Sequence, residues 1–73
     1  MALLDELAEG LARDAFALAR KTGDESVISE VEKTLGTTSP TMQETYNTAI
    51  RLLRAEARGR AVIEARATGS GGG

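Results

Sequence analysis

The stretch VISEVEKTLGTTSPTMQETYNTAI, residues 27–50, decides the fold. Val27, Ile28, Val31 and Leu35 recur at helical spacing, Gly36 interrupts them, and Ser39-Pro40 opens a new segment. Serine offers a side-chain oxygen to the free amides of a first helical turn, and proline fits the first helical position, where its missing amide has no intrahelical partner anyway. The pattern predicts one helix ending at residue 35 and a second beginning at residue 40.

Upstream, Arg20 and Lys21 precede Gly23. Cations near a helix's negative end followed by glycine mark a stop. Asp24 is then expected to cap the next helix, with Glu25 in its first turn. The expected fold is all-α, with helices at about 3–22, 25–35 and 40–67 forming a single domain over 1–67. The last two make a helical hairpin with a long C-terminal arm. The TGSGGG end, residues 68–73, is expected to be a flexible tail.

The first helix carries Leu3, Leu4, Leu7, Leu11, Ala15 and Leu18 on one side, widened by Ala8, Ala12, Phe16 and Ala19 to roughly half the circumference. So wide a face predicts more than one neighbour. In the third helix, Met42, Tyr46, Ala49, Ile50, Leu53 and Ala57 line a core face. Leu52, Ala55, Gly59, Val62 and Ile63 form a second apolar patch, rotated from the first by roughly 150° at the helical period. Residues 40–67 make a rod of about 42 Å, against about 17 Å for residues 25–35. The shorter helices cannot cover both faces of such a rod, so the second patch is expected to be an oligomer interface.

Composition agrees. A chain of 73 residues buries about 60% of its unfolded surface, which leaves the core marginal. With no cysteine and no histidine, disulfides and the usual transition-metal ligands are missing, and oligomerisation is the remaining support. No apolar run approaches the roughly 20 residues that cross a bilayer. The start MALLDELAEG lacks a basic segment ahead of an apolar run, so it does not read as a secretory signal and a cytoplasmic location is expected.

Chemistry has little to work with. Without histidine or cysteine, no serine has a positioned base beside it, so no enzyme, cofactor or metal is expected. Asp5, Glu6 and Glu9 read as a solvated polar face rather than a cation site. Charge is uneven: residues 1–39 carry a net −4 and residues 40–73 a net +2. Arg51, Arg54 and Arg58 share one stripe, with Arg66 near the same arc. They are the candidate DNA- or anion-binding residues, the alternative being a solvated face. The corner at residues 35–40 also has the outline of a DNA-reading helix-turn-helix, which would present Thr41, Gln43 and Glu44 to the groove. Only glutamine there commonly reads adenine, Glu44 would oppose phosphate, and Glu32 stands where a small apolar residue is usual. A plain corner is the stronger reading.

On the stretch GTTSPTMQETYNTAIRLLRAEARGRAV, residues 36–62, the chain resembles, over roughly residues 25–65, the short proteins of phage-related gene transfer agents, which are similar to the small terminase subunit. The resemblance implies subunits packed side by side in a ring, DNA bound by its backbone, and docking of a large packaging motor subunit. The separate amino-terminal DNA-binding domain usual in that family has no counterpart here, so sequence-specific recognition is not implied. Two function classes remain open: a multimeric assembly protein binding DNA non-specifically, and a regulatory module, either a dimeric helix-turn-helix repressor or a small protein-binding adaptor.

Overall fold

The computed structural model describes residues 2–72, with side chains to residue 69. Three helices occur in chain order: α1 (Ala2–Thr22), α2 (Ser26–Thr38) and α3 (Pro40–Gly72). Among the described residues there is no strand. The chain doubles back twice. Glu25 at the start of α2 lies beside Arg54, and Glu32 lies beside Gln43 and Asn47, so α2 runs opposite to α3. Glu9 and Arg13 border the same groove as Thr45 and Leu53, while Phe16 and Arg20 border one with Ala57 and Glu64. α1 therefore runs in the same sense as α3. The Cα frame measures 52 × 26 × 13 Å, long and flat.

The two turns follow the punctuation, with corrections at each. Gly23 ends α1 at φ 80°, a conformation costly for any residue with a Cβ, and its amide donates to the Ala19 carbonyl at 2.8 Å. Asp24 accepts the Ser26 amide at 2.9 Å, but Glu25 itself stays outside the helix, which starts at Ser26. That bond to the Ser26 amide holds the Asp24 carboxyl below its ordinary pKa. Gly36 does not stop α2, which continues to Thr38. Its backbone stays at negative φ, and the Thr37 and Thr38 hydroxyls fold back on the helix, donating to the Thr34 carbonyl at 2.7 and 3.2 Å. Glycine leaves room for a neighbour instead: a Cβ at position 36 would sit 2.7 Å from the Gln43 amide nitrogen, and that flexible side chain would have to shift from its bond to Glu32. Ser39 caps α3 as expected, its hydroxyl accepting the Met42 amide at 3.3 Å and its carbonyl the Gln43 amide at 3.0 Å.

The far end of α3 is a further correction. The helix continues past the expected end at residue 67 to Gly72; Gly73 lies outside the described residues. Helix propagation adds one hydrogen bond per residue fixed. At Thr68 the hydroxyl adds a bond of its own, donating to the Glu64 carbonyl at 2.9 Å. Each glycine beyond costs about 1 kcal/mol relative to alanine, so α3 is weakest there.

The core is built from a size mismatch. α1 turns Ala8, Ala12, Ala15 and Ala19 inward, all at most 4% exposed. Opposite them α3 places Tyr46 and Ile50, flanked by the half-buried Met42, Ala49, Leu53 and, from α1, Phe16; α2 closes the gap with Ile28 and Leu35. Small side chains on one helix let large ones on the other fill the space between close-set axes. Tyr46 is fully buried, and its hydroxyl donates to the Ile28 carbonyl at 2.9 Å, tying α3 to α2. The wide apolar face of α1 thus divides. Its alanines belong to the core, whereas Leu3, Leu7, Leu11 and Leu18 remain outside it.

Two outcomes are expected. Ser39→Ala should cost about 1 kcal/mol in chemical denaturation, because the Met42 amide loses its acceptor; an unchanged midpoint would contradict the cap. Burial, and next the Glu32 carboxylate, raise the Tyr46 pKa against a smaller opposing effect of Arg54. The folded state therefore favours neutral tyrosine, so stability is intact below the ordinary value of about 10 and declines as pH rises above it. Tyr46 is the sole tyrosine, so its ultraviolet titration reports directly. It should ionise above the ordinary value while folded and return to that value in denaturant.

Candidate functional site

α3 carries both groups of residues singled out by the sequence, and places them on one outward face. With Tyr46 and Ile50 facing the core, the 100° step of the helix sends Arg51, Ala55, Arg58, Gly59, Val62 and Arg66 roughly to the opposite side. Leu52 and Ile63 lie at the edge of that arc. All eight are exposed. Leu52, Val62 and Ile63 retain between 62% and 65% of their surface in water, with about 15 Å of helix, including Ala55 and Gly59, between the first and the other two. Gly59 has nothing within 4 Å of where a Cβ would be, so nothing inside the subunit requires a glycine in mid-helix, where it costs about 1 kcal/mol relative to alanine.

The arginines do not behave alike. Arg54 lies to the side of this face and donates to Glu25 at 3.0 Å, bracing α3 against the start of α2. Both side chains are substantially exposed, so the pair contributes at most about 1 kcal/mol. Arg60 pairs with Glu56 one turn earlier at 3.3 Å. Arg51, Arg58 and Arg66 have no carboxylate partner among the described residues. Of the four arginines read from the sequence, Arg54 has a carboxylate partner and the other three have none among the described residues.

The leucine flank of α1 is a surface that the sequence reading did not single out. Leu3 and Leu7 are more than half exposed and Leu18 nearly so, with Leu11 between them. Asp14 occupies the same flank between Leu11 and Leu18 and is exposed. The wide stripe of α1 contained the signal, since one helix cannot bury half its circumference against two thin neighbours. On the other flank of α1, Glu9 and Arg13 border an open groove of about 240 Å³ against Thr45, Thr48, Ala49 and Leu52. A second groove of about 300 Å³ lies further along between Phe16, Arg20 and α3, where the Arg20 guanidinium stands 5.6 Å from the Phe16 ring centre.

At the corner, Gln43 is committed to structure. Its side-chain amide donates to the Glu32 carbonyl at 3.2 Å, and Asn47 donates to the Glu32 carboxylate at 3.1 Å. Glu32, out of place in a DNA-reading corner, is here the residue that holds the corner shut. Among the described residues, no three histidine, cysteine or carboxylate side chains gather as metal ligands, and no helix is long and apolar enough to cross a membrane. Comparison of the chain with protein-family models, curated proteins and solved structures gives no match.

Proposed function

We propose that this chain is a non-enzymatic assembly protein that works as a multimer of its own copies. One observation carries the reading: seven large apolar side chains (Leu3, Leu7, Leu11, Leu18, Leu52, Val62 and Ile63) face water, against four in the core. Covering what these side chains still expose, between 37% and 65% of their surface, is favourable by about 1 kcal/mol each. A second subunit removes several at once. The outer face of α3, from Leu52 to Ile63, is the oligomer interface in this reading, as its residues Ala55 and Gly59 admit a close-packed helix.

DNA backbone is the second ligand, supported by Arg51, Arg58 and Arg66 lacking carboxylate partners among the described residues. Repetition of these cations around a multimer would concentrate positive potential that one subunit does not have. A packaging motor subunit, implied by the resemblance to small terminases, would dock on the assembled form. The repressor alternative is weakened by Gln43, whose amide is already used inside the corner.

Ile63→Asp should lower the mass seen by light scattering while circular dichroism stays helical, because a desolvated carboxylate costs several kcal/mol at a dry contact. A wild type that remains monomeric at high micromolar concentration would sink the proposal. For DNA, wild-type affinity should fall with salt for unrelated sequences alike, with a log–log slope of about 0.9 per phosphate contact. Replacing Arg51, Arg58 and Arg66 by glutamine should flatten that slope. Absence of binding at low salt would remove DNA from the account.

A further inference from the structure

The two exposed apolar surfaces differ in every property that governs docking. The α1 surface is a ridge of leucines, Leu3, Leu7, Leu11 and Leu18, with the carboxylate Asp14 set within it. On α3 the surface is broken by Ala55 and Gly59, where nothing approaches a Cβ at Gly59, and it is rimmed by Arg51 and Arg58. Leu52, at its edge, borders the 240 Å³ groove. One surface is built of large side chains and carries an acid; the other has small residues at Ala55 and Gly59 and carries bases. Net charge of the two chain halves, −4 over residues 1–39 and +2 over residues 40–73, has the same polarity.

Their placement matters as much. At 100° per residue the leucines lie roughly opposite Glu9 and Arg13 on α1, and those two border the groove beside Leu52. The ridge and the groove are thus on opposite flanks of one flat molecule, so no subunit can satisfy both internally.

We infer that the leucine flank of α1 in one copy seats on the outer face of α3 in the next, so that copies associate head to tail. This rests on the self-association proposed above and specifies which surfaces meet. Asp14 decides against like-with-like pairing. Burying a carboxylate demands a cation. An α1–α1 contact would offer Asp14 only Lys21, at the end of the same flank, and an α3–α3 contact would bring arginines together. The mixed contact brings Asp14 to the arginine rim, where it takes one of Arg51 and Arg58 and leaves the other, with Arg66, for DNA backbone. Such a heterologous contact leaves each bound copy with one free surface for the next.

Two variants test it, each breaking one surface: Leu7→Asp and Ile63→Asp, followed by sedimentation velocity alone and mixed in equal amounts. Each variant alone should lose the multimer and sediment as a monomer. The mixture should recover one interface, from the intact α3 of the first and the intact α1 of the second, and sediment as a dimer and no larger. Leu3→Asp and Val62→Asp, at positions 60% and 62% exposed, repeat the experiment where the fold has least to lose. A self-associated species from either variant alone would overturn the inference in favour of like-with-like pairing. A mixture that stays monomeric beside a multimeric wild type would show that these surfaces are not partners. A monomeric wild type would instead remove the self-association on which the inference rests.

Discussion

The seam of four alanines on α1 is the constraint from which the rest of the structure follows. Because Ala8, Ala12, Ala15 and Ala19 face Tyr46 and Ile50, α1 approaches α3 closely and a large phenol fills the space between them. The same rotation of α1 that brings alanines inward carries the leucines out, since the two sets lie about a quarter turn apart on the helix. Burial inside the subunit and exposure outside it are one choice. A core of small residues yields less transfer free energy than a leucine core would, and the balance sits on the surface, available to a partner.

Tyr46 shows how so thin a core remains specific. Its hydroxyl reaches the Ile28 carbonyl, which fixes the register of α2 on α3, and the Glu32 contacts with Gln43 and Asn47 fix it again at the corner. The Arg54–Glu25 pair closes the other end of α2. Polar bonds at three levels hold the short helix in a single position. α3 gains no such restraint after its last neighbours on α1, and from Arg58 to Gly69 every residue is exposed.

Helix number, the Gly23 stop and the Ser39-Pro40 start were legible in sequence because each depends on local backbone chemistry. The two-faced character of α3 was legible too, since its core and outer residues separate cleanly at the helical period. The division of the α1 face was not. On a wheel, leucine outranks alanine as a core residue, and only the bulk of Tyr46 and Ile50 across the seam reverses that order. Gly36 was misread for a related reason. Glycine stops helices at positive φ but also permits close approach, and the approaching group, the Gln43 side chain, is brought there by the tertiary corner. The Arg54–Glu25 pair was illegible in the same way, since the carboxylate lies 29 residues away in sequence.

The central claim is that leucines expelled from one subunit's core are covered by the outer face of α3 in another. Isotope-filtered nuclear magnetic resonance tests it most directly, on a mixture of subunits with labelled leucine methyls and subunits with labelled valine and isoleucine methyls. The account predicts contacts between Leu7 or Leu18 of one copy and Val62 or Ile63 of another, strengthening with concentration. A multimer in which those leucine methyls contact only their own subunit or water would contradict it.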